Sequence, residues 1–77
     1  MEIKVLGPGC PKCHEAEKIV RAAVAEAGSN ATIEKVSDFA AIAQMGVFAT
    51  PAVVVDGQVT CVGQVPSKKD VLSWIQA

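Results

Sequence analysis

The sequence is poor in aromatic residues and has no excess charge of either sign. Its 77 residues include one Trp, two Phe and no Tyr, so the 51% hydrophobic content comes largely from Ala and Val. That share exceeds the roughly 45–50% of ordinary globular proteins and favours a folded chain over a disordered one. A net charge of −1 provides no sustained basic surface, so nucleic-acid binding is not expected.

Targeting and membrane-spanning patterns are also missing. No apolar run is long enough to cross a bilayer, and no signal-peptide pattern opens the chain. We therefore expect a cytoplasmic protein without a membrane partner. Because no repeat, linker or low-complexity segment is present, residues 1–77 are predicted to form one small domain. We expect it to act as a monomer, although the sequence does not fix the oligomeric state.

Cysteine is scarce as well, and its spacing is informative. The count of three is odd, and two of these residues, Cys10 and Cys13, form a CxxC pair. In a chain that is not secreted, such a pair indicates redox or metal chemistry rather than a disulfide framework. The pair lies between an apolar strand-like run and an amphipathic helical pattern, so both thiols are expected at the start of a helix.

A helix start favours a thiolate, because free backbone N–H groups and the positive end of the helix dipole meet there. Pro11 suits the first turn, where a missing N–H has no cost, and Lys12 adds a positive charge. Both are expected to help hold the pKa of Cys10 below the free value of about 8.5. Cys10 is then the exposed nucleophile. Cys13, on the inward face with Ala16 and Val20, resolves the mixed disulfide.

The remaining pattern predicts the element order β-α-β-α-β-β-α. The first strand and first helix are followed by a β-branched run, and a βαβ unit of this kind has parallel strands and a right-handed crossover. An Asp-Gly pair between two apolar runs predicts an antiparallel hairpin. We therefore expect an α/β fold with a four-stranded mixed sheet flanked by three helices. The predicted strands cover residues 2–6, 31–36, 52–55 and 58–62.

The helix ends are predicted from capping residues. Pro11 opens the first helix, and Gly28 or Asn30 ends it. Ser37 or Asp38 caps a short second helix, which ends at Gly46. One face of that helix is predicted to be apolar, with Phe39, Ile42, Ala43 and Met45. Ser67 starts a third helix in a pattern similar to a capping box, and this helix carries Val71, Leu72, Trp74 and Ile75.

Thr50 and Pro51 lie at the start of the predicted third strand, where a proline removes no central ladder bond. Beside the CxxC pair and the βαβ unit, this arrangement resembles the thioredoxin fold. The resemblance implies that Pro51 is cis and touches both cysteines of the pair, and that Thr50 offers its backbone to a substrate strand. In particular the whole chain resembles the small, glutaredoxin-sized redox-active disulfide proteins of archaea and bacteria. The match is carried by residues 7–13, 50–52, 55–57 and 63–67.

The resemblance implies a thiol-disulfide oxidoreductase that reduces protein disulfides, needs no cofactor beyond its own Cys10–Cys13 disulfide, and is recycled by an enzyme of the thioredoxin-reductase type. Two departures stand out. Gly9 replaces the Trp that precedes the first cysteine in ordinary thioredoxins, and no acidic residue occurs at Val5 or Leu6. The segment from Gly63 to Ser67 also lacks the second glycine and the acidic anchor by which glutaredoxins accept glutathione. A protein partner is therefore favoured over glutathione.

Two other functions use the same cysteines. With His14, the pair satisfies the C-x-x-C-H pattern of covalent haem attachment, but a strand-helix-strand chain without an export signal does not suit it. A metal-binding or carrier module for Cu or Zn stays open, since CxxC thiolates bind both metals. No second CxxC or Cys/His pair completes a tetrahedral site, so no metal ligand is assigned.

Three further apolar residues are assigned to the core. Cys61, in phase with Val59 on the last strand, is expected to be a small buried side chain. Trp74 is expected to anchor the last helix. Phe48 either lines a partner groove or fills the core, and we favour the core.

Overall fold

The computed structural model describes the backbone of residues 1–9 and 11–76 and the side chains of residues 1–9 and 11–75. The element order predicted from the sequence is confirmed. The elements are β1 (Glu2–Leu6), α1 (Pro11–Ala27), β2 (Thr32–Val36), α2 (Phe39–Gln44), β3 (Ala52–Val55), β4 (Gln58–Val62) and α3 (Lys68–Gln76).

The strands form one four-stranded mixed sheet in the order β2-β1-β3-β4. β1 pairs in parallel with β2, as the βαβ pattern predicts, while β3 runs antiparallel to both β1 and β4. β1 is therefore a central strand, and the chain leaves its carboxyl end at Leu6 to enter the loop before α1. This topology brings the start of α1 and the start of β3 to the same end of the sheet, because Leu6 pairs with Ala52.

Helices cover the two faces of the sheet unequally. The larger core cluster combines strand residues such as Val5 and Val53 with Val20 of α1 and Val71 of α3. The smaller cluster, on the opposite face, is Leu6, Ala52 and Val54 with Ile42 of α2 and Val47. Successive strand residues point to opposite faces, so neighbours contribute to different clusters. The α2 face is closed by one helix of only six residues.

Helix ends follow their capping residues. Gly28 adopts a left-handed φ of 62° after α1, and the N–H groups of Gly28 and Ser29 bond back to the carbonyls of Ala25 and Val24 at 3.2 and 3.1 Å. This is the hydrogen-bond pattern of a Schellman motif. At α3, Ser67 Oγ accepts the Asp70 N–H at 3.1 Å, which confirms the predicted N-cap.

The sequence offered Ser37 and Asp38 as N-caps of α2, and the structure distinguishes between them. Asp38 has extended backbone, and its side chain accepts the N–H of Ala40 at 3.3 Å, so Asp38 and not Ser37 is the N-cap.

The β3–β4 hairpin has the turn that Asp-Gly predicts. Asp56 and Gly57 have φ values of 49° and 83°, and Val55 pairs with Gln58 across the turn. Positive φ at both central residues defines a type I′ turn, which matches the twist of the flanking strands. The Asp56 side chain also accepts the Glu2 N–H at 2.8 Å, so the turn is joined to the start of β1.

The prediction that Cys61 and Val59 of β4 point to the same face of the sheet is wrong. Cys61 pairs with Val53 and Val59 with Val54, so a register shift places Thr60 in a bulge between them. A bulge adds one residue and reverses the alternation. Cys61 is buried in the larger cluster, as predicted, whereas Val59 is 44% exposed. Trp74 packs against the larger cluster, half-buried, as expected for an anchor of α3.

Among the helices described, none is long and apolar enough to span a bilayer.

Candidate active site

Cys13 is the third residue of α1 and is 1% exposed. It lies on the buried face of the helix with Ala16 and Val20, which confirms its predicted sheltered position. It is also disulfide-bonded. Cys10 lies outside the described residues, so its predicted role as the exposed nucleophile stays a prediction.

Gly7 makes room for the Cys13 side chain. A Cβ built on Gly7 would overlap Cys13 Sγ and would stand only 2.9 Å from Cys13 Cβ. The Gly7 backbone is held in place by its N–H, which donates to the Val36 carbonyl at 2.8 Å. Only glycine therefore fits here without displacing the cysteine. The sequence pattern assigns Gly7 only to the end of the first strand, and no local signal distinguishes this role from a turn.

The Thr50–Pro51 segment also lies next to Gly7. The Thr50–Pro51 peptide bond is cis, and the Pro51 side chain is fully buried. Thr50 is half-buried, and its Cβ is 3.8 Å from the Cβ position on Gly7. Cys13 and Thr50 are thus both next to Gly7, which brings the helix start and the cis-proline segment together at one end of the sheet.

The segment that holds Thr50 is fixed by the far end of β4. The Gly63 N–H donates to the Pro51 carbonyl at 2.9 Å. A Cβ on Gly63 would be 3.2 Å from the Ala49 Cβ, and Gly63 has a left-handed φ of 74°. These two features require a glycine at position 63. The resulting contact ties residues 49–51 to the β4 end and limits their movement.

The other predicted residues lie on the outer surface of the α1 start. Pro11 opens the helix, as predicted, and both Pro11 and Lys12 are exposed. Their predicted effect on the Cys10 thiol stays a prediction. His14 is exposed too, and its Nε2 is 3.9 Å from the Cβ position on Gly9.

One acidic charge on α1, that of Glu17, is compensated by neighbouring cations. Glu17, one turn after Cys13, forms ion pairs with Arg21 Nε at 3.0 Å and Lys35 Nζ at 3.7 Å. The hydrogen bond from Arg21 lowers the pKa of the Glu17 carboxyl against partial desolvation, with smaller contributions from the charges of Arg21, Lys35 and His14. The negative charge of Glu17 is therefore shared with two cations on the α1 surface.

The third cysteine has a different environment. Cys61 is a free thiol, 7% exposed, and its Sγ donates to the Gln64 carbonyl at 3.2 Å. Burial raises the pKa of Cys61, and the charge of Asp70 adds to that effect. A buried thiol with a raised pKa is a poor nucleophile, because the thiolate is the reactive form.

Phe48 is not in the core, so the expectation that it fills the core is wrong. Its side chain is 87% exposed, whereas the preceding Val47 is 2% exposed. In this short connection Val47 enters the smaller core cluster, and the next side chain then faces solvent. Phe39 is also 67% exposed, because in a helix of six residues only Ile42 is fully buried.

These exposed aromatics border a groove beside Thr50. Its volume is about 240 Å³. The residues that line it come from α2 and from the connection to β3: Phe39, Ile42, Ala43, Val47, Phe48 and Thr50.

Comparison with known proteins decides the family. Residues 1–76 match the sequence profile of the family described as Thioredoxin domain. The chain belongs to this family. It is 38% identical over 71 residues to a thioredoxin of Methanothermobacter thermautotrophicus, covering 92% of each chain. It is 41% identical over 69 residues to a thioredoxin of Methanocaldococcus jannaschii, covering 90% of this chain and 79% of that one.

Family membership confirms the resemblance, the thioredoxin-like fold and the class of activity that the sequence predicts. The chain is a thiol-disulfide oxidoreductase with a thioredoxin-like redox function. Over residues 1–9 and 11–76, no group of three or more His, Cys, Asp or Glu side chains is placed to hold a metal ion.

Proposed function

We propose that the chain reduces disulfide bonds of partner proteins with Cys10 and Cys13 as its dithiol. The observation that carries the proposal is the disulfide-bonded Cys13 in the first turn of α1, next to Gly7 and close to the cis Thr50–Pro51 segment. The other cysteine of known position, Cys61, is a free and buried thiol. We take Cys10 as the disulfide partner of Cys13.

The reaction balances as two successive thiol-disulfide exchanges. The Cys10 thiolate attacks one sulfur of the partner disulfide, an S–S bond to the partner forms, and the departing partner thiolate takes up a proton. Cys13 then loses its proton and attacks Cys10, which releases the second partner thiol. The partner gains two electrons and two protons, and the chain is left with a Cys10–Cys13 disulfide.

The buried position of Cys13 supports this division of roles. A partner protein cannot readily reach a side chain that is 1% exposed, but the sulfur of a cysteine three residues earlier in the chain can. Pro11 and Lys12 are exposed at the helix start. Pro11 suits the first helical position, and the helix that begins there favours the Cys10 thiolate through its dipole, while Lys12 adds positive charge.

Thr50 and Pro51 position the partner. Backbone groups of Thr50, held by the contact between Gly63 and Pro51, would pair with an extended strand of the substrate beside the disulfide. An extended protein segment suits this mode. Glutathione is a weaker candidate, because residues 63–67 lack the second glycine and the acidic residue of a glutathione site.

A second protein must return the disulfide to the dithiol. We propose a reductase of the thioredoxin-reductase type, which supplies two electrons and two protons per cycle. The chain itself then needs no cofactor, in keeping with its family. We place this single-domain monomer in the cytoplasm, where thiols are kept reduced.

The test uses three cysteine variants in a protein-disulfide reduction assay. Cys10→Ser should abolish exchange, while Cys13→Ser should accumulate mixed disulfides with partner proteins. Cys61→Ser is the matched control and should retain the rate of the unmodified chain. Full activity of Cys10→Ser would refute the assignment.

Capture from a lysate with Cys13→Ser then identifies substrates and reductase, because the mixed disulfide cannot be resolved. The metal-carrier alternative has its own readout. A stoichiometric Cu or Zn ion after anaerobic purification, together with no captured partner, would favour that alternative.

A further inference from the structure

His14 directly follows the CxxC pair and is the single histidine of the chain. The exchange reaction proposed above does not use it. Its Nε2 lies 3.9 Å from the Cβ position on Gly9, the residue before Cys10, although the side chain as a whole is exposed. Helical side chains lean towards the N-terminus of their helix, so the imidazole reaches back over the entry into α1. A titratable group therefore lies at the start of α1, where Cys13 is located.

Thiol-disulfide exchange benefits from a proton donor at this place. Each of the two exchanges releases a partner sulfur, and a less basic sulfur leaves faster, so a proton given to it as it departs lowers the barrier. In the part of the chain that the structure describes, no Asp, Glu, His, Lys or Arg side chain is buried. Cys13 lies next to Gly7, and Gly7 lies next to Thr50, neither of which titrates. The donor is therefore an exposed group or water.

The imidazole of His14 has the chemistry of such a donor. A side chain transfers protons most effectively when it both gains and loses one near the working pH. Imidazole groups do so between about pH 5 and 8, whereas carboxylates and ammonium groups ordinarily titrate outside that range. Among the carboxylates of α1, that of Glu17 is also held by Arg21 and Lys35. His14 is thus the side chain at this helix start that is suited to give up a proton and to recover it.

Four charged groups share the surroundings of His14. Glu15 and Lys18 of α1 and Lys68 of α3 line the same depression as His14. Glu17 lies one turn later on α1, and the charge of His14 contributes to the lowered pKa of its carboxyl. A test of His14 must therefore separate proton transfer from a change in local charge.

We propose that His14 donates the proton to the sulfur that leaves the partner disulfide. In the first exchange the Cys10 thiolate forms an S–S bond to the partner, the partner S–S bond breaks, and the imidazolium of His14 gives its proton to the departing sulfur. The Cys13 proton then returns the imidazole to its charged form, and Cys13 attacks Cys10. The second partner sulfur leaves and takes the same proton from His14.

The electrons and protons of this sequence balance. The partner gains two electrons from the sulfurs of Cys10 and Cys13, one proton from the initial imidazolium and one from the Cys13 thiol. The chain is left with its disulfide and a neutral imidazole. The proposal rests on the proposed function and deepens it by assigning the proton donor of the exchange.

The experiment uses two uncharged disulfides that differ in the basicity of the leaving sulfur. Bis(2-hydroxyethyl) disulfide releases a basic aliphatic thiolate, which is helped by a proton. Dithiodipyridine releases a weakly basic aromatic sulfur, which leaves readily without that help. The dithiol form of the chain reduces each probe across the range in which imidazole titrates, about pH 5 to 8.

His14→Gln removes the proton donor and keeps a polar side chain. Positioned proton transfer contributes about 100-fold or more in general, and thiolates leave more readily than most groups, so we expect a loss of about tenfold with the aliphatic probe. The rate with dithiodipyridine should stay within about twofold, which also shows that the variant is folded and its thiols are intact. With the aliphatic probe the pH profile of the unmodified chain should be bell-shaped, and His14→Gln should lose the limb that falls as imidazole loses its proton.

Two further variants separate proton transfer from charge. His14→Lys keeps a positive charge at this position without a group that exchanges its proton near neutral pH, so it should be as slow as His14→Gln with the aliphatic probe. Lys18→Gln is the matched control, because it removes a cation from the same depression one turn further along α1. It should keep the rates with both probes and the shape of the pH profile.

The outcomes distinguish this proposal from the proposed function. If the chain reduces both probes, but His14→Gln slows neither or slows both equally, His14 is not the proton donor and the proposed function stands. Full recovery of the aliphatic rate in His14→Lys would show that only the charge matters and would overturn the proposal. If the unmodified chain reduces neither probe, the proposed function itself fails.

Discussion

Cys13 occupies the space beside Gly7 that any other residue at position 7 would fill with its own Cβ. The Gly7 backbone is bonded to Val36 of β2, and Cys13 is held by α1 against the sheet. Neither partner can move without disturbing a secondary-structure element. The position of the buried sulfur therefore depends on a glycine three residues before the CxxC motif.

Gly7→Ala is expected to destabilise the chain by about 1–3 kcal/mol, as other overpacked core positions do. Denaturant unfolding of the disulfide form measures this loss. Because the added methyl displaces Cys13, mixed disulfides should also last longer than in the unmodified chain during reduction of a protein disulfide.

Gly28→Ala serves as the control for Gly7→Ala. Position 28 has a φ of 62° and open space around its Cβ position, so alanine there adds roughly 1–2 kcal/mol of backbone strain and no clash. It should lower stability and leave the lifetime of mixed disulfides unchanged. Equal lifetimes in the two variants would contradict a special role of Gly7.

Asp38→Ala is expected to remove the N-cap of α2 and to lower the free energy of unfolding by about 0.5–2 kcal/mol. Ser37→Ala, one residue earlier, should stay within about 0.5 kcal/mol of the unmodified chain, since Asp38 is the residue that accepts the Ala40 N–H. Asp38→Asn should restore most of the loss. Equal effects of Asp38→Ala and Ser37→Ala in denaturant unfolding would argue against this cap.

Cys61 should react slowly with iodoacetamide in the folded chain. The measurement uses the Cys10→Ser, Cys13→Ser double variant, in which Cys61 is the only thiol. Because burial raises its pKa, the rate should keep increasing with pH above about 8.5, the value of a free thiol. In denaturant the rate should increase, and its pH midpoint should fall towards that value. Equal rates in the folded and unfolded chain would show that Cys61 is accessible.

Glu17 provides a pH-dependent contribution to stability. Its pKa is lowered in the folded chain, chiefly by the hydrogen bond from Arg21. A carboxyl with a lowered folded pKa stabilises the fold fully above its unfolded pKa of about 4.3, and this stabilisation is lost as the pH falls through the lowered folded value. An exposed ion pair of this kind contributes less than about 1 kcal/mol to the free energy of unfolding.

Carboxyl ¹³C NMR titration checks this assignment. Arg21→Gln should raise the pKa of Glu17 more than Lys35→Gln does, because Arg21 donates at 3.0 Å and Lys35 Nζ stands at 3.7 Å. A larger effect of Lys35→Gln would show that Lys35, and not Arg21, is the main cause of the lowered pKa of Glu17.

Much of the fold was predictable because its signals are local. The Asp56–Gly57 turn, the Gly28 helix end and the Ser67 cap each act through backbone conformation within a few residues. The buried position of Cys13 followed from helical periodicity with Ala16 and Val20.

The errors arose where distant segments meet. A bulge at Thr60 separated Cys61 from Val59, and β-strand alternation cannot reveal a bulge without its partner strand. Nor does the sequence show which of two adjacent apolar residues enters the core: Val47 packs in the smaller cluster and Phe48 faces solvent. The sequence around Gly7 is typical of a turn, and only the contact with Cys13, six residues later, shows why a glycine is required there.

The sequence by itself determined the element order, the turns and caps, and the helix start that carries Cys13, since these depend on local conformational preference and periodicity. Tertiary structure alone decided which residues surround the buried cysteine and which apolar side chains remain in solvent. Those outcomes depend on how much space the sheet and the short helix α2 leave between segments far apart in the chain. The closeness of Gly7, Cys13 and Thr50, and the groove that opens beside them, result from that packing.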